Sequence, residues 1–379
     1  MKKLPIKKIT LVIVILVSSF KVFSKRTLYV NNFENILGNE TAENELLAYS
    51  QNNEFETLLL YGLHIINSNH NLQNPATNII LANFIYKAKT SYGVLDVGAT
   101  AENAWFFTNV INVYNNSRNN PLEKLDTYHL EFEYWNYSST GPGGYYCTNY
   151  LTPNSLPCTV DGAFQFYIAT LKSMKTLADS NAHLITTEAY VGWTTAGQAD
   201  TIGANLDRLR LHAYVENPNT AFNYSENRLL DFANGNPGIV ISIIFSSEPN
   251  FMQNWLINNS MSAAEQIYTA NYISGSSSWS NNINLEGFTY FAYTHQTNIS
   301  LSNNLEPYKE IITYPNPVQN ILTVENFKNL KNIRIYNNVG QLVIETNGSE
   351  IDFTNLSKGI YQIQLYSDKE VLIKKILKE

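Results

Sequence analysis

From Arg26 to about Asn304 the sequence repeats one pattern eight times: a short apolar run, then a stretch with the spacing of an amphipathic helix. The apolar runs fall at 27–33, 57–66, 93–99, 125–136, 183–193, 206–215, 238–247 and 285–295. Strands separated by helices cannot pair as hairpins; they run parallel, each joined to the next by a crossover. Eight such units in about 280 residues fit a closed barrel better than an open sheet. The expected fold class is therefore α/β, a (β/α)8 TIM barrel over residues 26–304.

The two ends of the chain read differently. Residues 305–310 form a linker, and residues 311–379 alternate apolar and polar positions in five to seven short runs separated by turn residues, the pattern of a small antiparallel β-sandwich. Residues 1–24 combine a lysine-rich head, an apolar core from Ile9 to Phe20 and the small Ser24 at a cleavage point, which predicts an export signal. The apolar core is shorter than the ~20 residues a membrane span needs, and Lys21 interrupts its end. The mature protein is thus expected outside the cell or on its surface, with no transmembrane span. In that oxidising setting Cys147 and Cys158, eleven positions apart in a Gly/Pro/Asn-rich stretch, are expected to be bridged.

A formal charge of −7, with 15% charged residues and no long basic run, argues against nucleic acid as a partner. His64, His212 and His295 are scattered singly, so no metal site is expected; no Gly-rich phosphate loop or G-x-S-x-G motif points to a cofactor or a serine nucleophile. Aromatic residues are plentiful at 13%, and they suit both packing and stacking on sugars.

The fourth run, LDTYHLEFEYWN at 125–136, carries the chemistry. In a strand, His129, Glu131, Glu133 and Trp135 share one face while Tyr128, Leu130, Phe132 and Tyr134 share the other. In a barrel the first face is the inner one, and Glu133 comes nearest the C-terminal mouth where barrel active sites form. Glu188 and Glu248, expected at the C-terminal ends of strands five and seven, are candidates for binding sugar hydroxyls, and Trp135 and Trp193 for stacking on a ring. Each has a plainer alternative, a solvated rim for the carboxylates and core packing for the tryptophans.

Two resemblances add to this. The segments YPNPVQNILTV, IRIYNNVGQLV, LSKGIYQIQLYSDK and LIKKILKE resemble the C-terminal sorting domain of the type IX secretion system, which implies that secretion machinery as a partner and release or surface attachment at the outer membrane. The spacing Asp126, His129, Glu131, Glu133 resembles the D-x-x-D-x-D-x-E strand of glycoside hydrolase family 18, the chitinases and endo-β-N-acetylglucosaminidases. Tyr134 also matches, while Glu131 is longer than the family's Asp and His129 replaces its second Asp. In the sixth strand Tyr214 matches the family's tyrosine. The resemblance implies that Glu133 is a general acid, that Glu131 and Tyr214 hold a substrate 2-acetamido group, and that Asp126 and His129 belong to the substrate site, His129 alternatively as a buried partner. The function expected is an exported glycosidase-like protein acting on N-acetylglucosamine-containing glycans. A glycan-binding barrel without catalysis, or a structural or adhesive surface protein, is the alternative.

Overall fold

In a computed structural model, which describes residues 25–275, 278–296, 312–325, 330–337, 341–366 and 371–379, eight parallel strands close into one barrel in sequence order. They are β1 (Lys25–Val30), β2 (Phe55–Leu60), β3 (Asp96–Ala101), β4 (Thr127–Leu130), β5 (Thr186–Val191), β6 (Arg208–His212), β7 (Ile239–Ser246) and β8 (Ile283–Phe291). β1 pairs with both β2 and β8, which completes the circle. The chain divides into two compact units, the break falling between Asn303 and Asn304. The expected export signal at 1–24 and linker at 305–310 lie outside the described residues.

Strand alternation separates two environments. Outward side chains such as Leu28, Leu58, Val97, Tyr128, Leu209 and Ile241 are buried in one apolar layer with the surrounding helices. The helix Val160–Asp179 begins where the Thr159 side chain accepts the Gly162 N–H, and it buries Tyr167, Leu171 and Met174 on the face toward the strands. On the inner side space is tight: a Cβ on Gly98 would stand 2.6 Å from Leu59 Cδ2 and 3.1 Å from Thr127 Cβ, so β2, β3 and β4 approach this closely only with glycine there.

The strands are shorter than their apolar runs, and in two of them the local reason is plain. The run 57–66 ends as a strand at Leu60, because Gly62 turns the chain at φ 73° and Leu63–His70 is helical; the isoleucines there pack as a helix face. In 125–136 the ladder stops after the Glu131 N–H bonds Ala101 O, and short turns follow, Tyr134 N–H to Phe132 O and Asn136 N–H to Glu133 O. The alternation nevertheless persists, with Phe132 and Tyr134 buried and Glu131, Glu133 and Trp135 partly exposed.

The barrel interior is charged. Glu188 on β5 accepts from Arg208 Nε at 2.5 Å, Arg210 Nε at 2.7 Å and the His129 ring at 3.0 Å. Arg208 also reaches Glu286 at 3.0 Å, which takes Lys25 at 2.6 Å, while Arg210 donates to Thr289 Oγ1. Glu188 is fully buried, yet these partners outweigh desolvation and hold its carboxyl well below the usual range.

The second unit contains β9 (Ile312–Tyr314), β10 (Ile321–Glu325), β11 (Asn332–Tyr336), β12 (Leu342–Thr346), β13 (Glu350–Asp352), β14 (Gly359–Tyr366) and β15 (Val371–Lys378). They form two antiparallel sheets, ordered β13-β10-β9 and β12-β11-β14-β15, around a core that includes Leu322, Val324, Ile333, Ile335, Ile363 and Ile376.

Replacing Glu188 by Gln leaves two buried guanidinium groups short of a counter-charge. Chemical denaturation is expected to show a loss of about 3–5 kcal/mol, and a loss below about 1 kcal/mol would mean the interior charges are not coupled as described.

Candidate active site

The mouth is built by residues at or just past the strand ends. Tyr29, Leu59, Tyr190, Ile244 and Ala292 form its floor, with Tyr61, Trp135, Tyr214 and Phe291 packed on it. Phe291 lies 5.4 Å from Tyr29 and 6.3 Å from both Tyr61 and Tyr214, ring centre to ring centre. Barrel closure sets these rings side by side although they come from four different strands or strand ends.

Both carboxylates of the fourth strand face this floor. Glu131, one-fifth exposed, contacts His129 Nε2 through Oε2 at 3.1 Å, and the Tyr61 hydroxyl is near enough to act on its charge. Burial raises its pKa, an effect the His129 and Tyr61 contacts oppose. Glu133 accepts from Asn136 Nδ2 at 2.9 Å on one oxygen and from the Tyr190 hydroxyl at 3.5 Å on the other. Tyr214 lies 6.4 Å from Tyr190, ring centre to ring centre, and in the field of Glu131, Glu248 and Glu133; burial first, then those carboxylates, push its pKa well up, so it stays a neutral donor. Glu248 accepts from Ser246 Oγ at 2.8 Å. Glu131, Glu133, Tyr214 and Glu248 thus share one electrostatic environment.

Three predicted residues stand elsewhere. Asp126 precedes β4 and lies at the opposite end of the barrel, bound by Lys89 at 2.6 Å, His183 at 3.0 Å and the Val97 N–H at 3.0 Å, so it cannot meet a ligand at the mouth. Glu188 is in the middle of β5, not at its end, and is fully buried among arginines; a sugar cannot reach it. His129 is buried as well, so of its two readings the structure gives the buried partner. Trp135 packs at 5.3 Å against Tyr190, and a Cβ on Gly192 would meet its indole at 2.6 Å. Trp193 is half exposed, with Arg228 stacked 4.8 Å from its ring centre.

Tyr29, Tyr61, Tyr190 and His212 belong to the mouth or its immediate support and were not singled out for it from sequence. The available signal was alternation: Tyr190 lies two residues beyond Glu188 on the same strand face. His212 sits 3.4 Å from the Tyr190 hydroxyl and 3.3 Å from that of Tyr224. Burial, aided by Arg228, lowers its pKa to about 3, so it is neutral.

Cys147 and Cys158 are bonded to each other, closing the loop after β4. Beside the bridge Tyr146 stacks on Phe132 at 4.0 Å, and its hydroxyl accepts the Glu133 N–H at 3.4 Å, so this loop supports the backbone of Glu133. A cavity of about 600 Å³ lined by Trp105, Tyr150 and Phe166 lies near that aromatic cluster and contains none of the predicted residues. Phe132 packs on Tyr150 and Phe166 from the opposite strand face to Glu133. Among the described residues no group of three or more His, Cys, Asp or Glu is arranged to hold a metal, and no helix is long and apolar enough to cross a membrane.

Residues 312–379 match the family model of the secretion system C-terminal sorting domain. The tail is a type IX secretion sorting domain, and the protein is exported, either secreted or held at the outer-membrane surface. No curated protein matches the chain. Among solved structures it is similar to a β-glucuronidase of Bacteroides uniformis, at 8% identity and a TM-score of 0.41, covering 95% of this chain and 46% of that one. The chain therefore spans less than half the length of that enzyme. A family 18 chitinase from Crocus vernus is similar at 11% identity and a TM-score of 0.40, covering 75% of this chain and 97% of that one.

The depressed pKa of His212 sets a pH dependence. The unfolded chain takes up a proton near pH 6.5 that the folded site refuses down to about pH 3, so this contribution is full above 6.5 and falls by up to ~1.4 kcal/mol per pH unit below it. In thermal melts at matched pH, His212→Gln is expected to be less stable than wild type at pH 8, with the gap narrowing as pH falls from 6.5 to 4. A constant gap would contradict the neutral, buried imidazole.

Proposed function

We propose that the barrel is a family 18-like glycosidase acting on N-acetylglucosamine-containing glycans by acid and substrate-assisted catalysis. The observation that carries this reading is the common environment of Glu131, Glu133 and Tyr214 on one aromatic floor. Apolar rings with a few convergent polar groups suit a sugar, whose faces stack while its substituents hydrogen-bond.

In this reading Glu133 gives its proton to the leaving glycosidic oxygen as the bond to the anomeric carbon breaks. The 2-acetamido carbonyl oxygen of the substrate forms the new bond to that carbon, giving a cyclic cation. Glu131 accepts the acetamide N–H and stabilises the positive charge, and Tyr214 donates its O–H to the acetamide oxygen. Water then attacks the anomeric carbon as its bond to the acetamide oxygen breaks, giving up a proton to the Glu133 carboxylate, which restores the acid. Trp135 and Trp193 are candidate stacking surfaces and Glu248 a candidate hydroxyl acceptor. Upstream, residues 1–24 act as the export signal, and the barrel of 26–304 is delivered by the tail. No metal or cofactor enters this scheme.

The second reading, a glycan-binding barrel without turnover, is favoured by one feature. Glu131 is longer than the family's Asp and is already engaged by His129. A shift of about one bond length matters in a preorganised site.

Glu133→Gln keeps size and hydrogen bonding while removing the proton. Assayed on chito-oligosaccharides and high-mannose N-glycans, it is expected to cut turnover by ~10²–10⁴-fold with binding nearly unchanged. Undiminished cleavage would move the chemistry elsewhere, and wild-type binding without cleavage would establish the second reading.

A further inference from the structure

Glu188 lies fully buried between two guanidinium groups, 2.5 Å from Arg208 Nε and 2.7 Å from Arg210 Nε. A carboxylate held that way is ionised and can only accept hydrogen bonds. His129 Nδ1 stands 3.0 Å from Glu188 Oε1, so Nδ1 carries a proton. The other ring nitrogen, Nε2, faces the Tyr29 hydroxyl at 2.8 Å and Glu131 Oε2 at 3.1 Å. With Nε2 bare and Glu131 ionised, a lone pair would face a carboxylate inside the barrel, where such a contact is costly. One further proton between Nε2 and Oε2 removes that conflict, and the Tyr29 hydroxyl can turn to either acceptor.

We propose that His129 and Glu131 hold a single proton between them, and that His129, fixed by Glu188 and its two arginines, is the positioning residue that aims Glu131 at the acetamide of the ligand. The functional half rests on reading the mouth as an acetamido-sugar site. His129 is fully buried and never meets the ligand; it acts through Glu131. The groups facing the pair are Tyr29 from β1, Tyr61 just past β2, Glu133 on the same segment, Glu188 from β5, Arg210 from β6 behind Glu188, and Tyr214 beyond β6.

The direction of the pH effect follows. Burial disfavours the imidazolium, but the Glu131 and Glu188 carboxylates outweigh it and hold the ring above its usual pKa. The proton is therefore kept to a higher pH than a free imidazole keeps it, and is lost above that. Once it is lost, Nε2 and Oε2 are both acceptors, Glu131 is no longer anchored, and a ligand that needs Glu131 binds less well.

The test is side-chain ¹⁵N NMR of the histidine-labelled full chain, with the His129 signals assigned by their loss in His129→Gln. Both ring nitrogens of His129 are expected to stay protonated to a higher pH than in a free imidazole, with titration above ~6.5. In Glu131→Gln the ring is expected to be neutral with its proton on Nδ1. A neutral His129 from pH 5 to 9, or a ring state unchanged by Glu131→Gln, would overturn the proposal. In the Glu133→Gln background, the affinity for triacetylchitotriose is expected to fall at least several-fold as pH rises through the His129 titration. Adding His129→Gln, whose amide still donates to Glu131, should remove that fall; its persistence would overturn the positioning role. Because the NMR needs no ligand, absence of chitotriose binding at every pH would count against the acetamido-sugar reading and leave the shared proton standing.

Discussion

Everything at the mouth rests on a carboxylate that no ligand can reach. Glu188 lies fully buried inside a closed parallel barrel, and a lone charge there would be far too costly without partners. Strand register supplies them: Glu188 pairs across the ladder with His129 on one side and Arg208 on the other, and Arg210 lies two residues along. The same register orients the His129 ring toward Glu131. A charge cluster near the middle of the barrel therefore determines how the first carboxylate of the mouth is held.

The fold was largely legible because parallel strands flanked by helices read as apolar runs in regular alternation with helical stretches, and all eight runs overlap a strand. Boundaries were less so. Leu63, Ile65 and Ile66 extend the second apolar run without extending the strand, since an apolar helix face and a buried strand look alike over a few residues. At the site, alternation correctly grouped His129, Glu131 and Glu133 on one face, but period two says nothing about depth along the barrel axis. Depth comes from register with neighbours, and this is why Asp126 falls at the far end and Glu188 in the middle. Tyr29, Tyr61 and Tyr190 were hidden for another reason. With 25 tyrosines in the chain, nothing local separates a mouth ring from a packing ring.

The sorting domain divides the sequence by task. Its residues at 312–379 account for the segments that departed from the barrel pattern, and export makes a bonded Cys147–Cys158 pair sustainable. That bond begins next to Tyr146, whose hydroxyl takes the Glu133 N–H, so the oxidising environment reached by secretion also bears on the mouth. In the chain-entropy model a loop of this size contributes about 3 kcal/mol.

The central claim is that Glu131, Glu133 and Tyr214 form one site for an acetamido sugar, and a crystal structure of the Glu133→Gln variant soaked with triacetylchitotriose tests it most directly. The account predicts a sugar ring on the floor of Tyr29, Tyr190 and Phe291, its acetamide N–H on Glu131, its acetamide oxygen on Tyr214 and its glycosidic oxygen beside residue 133. A sugar bound only at an outlying surface such as the half-exposed Trp193 or the cavity beside Trp105, with the mouth left empty, would contradict it.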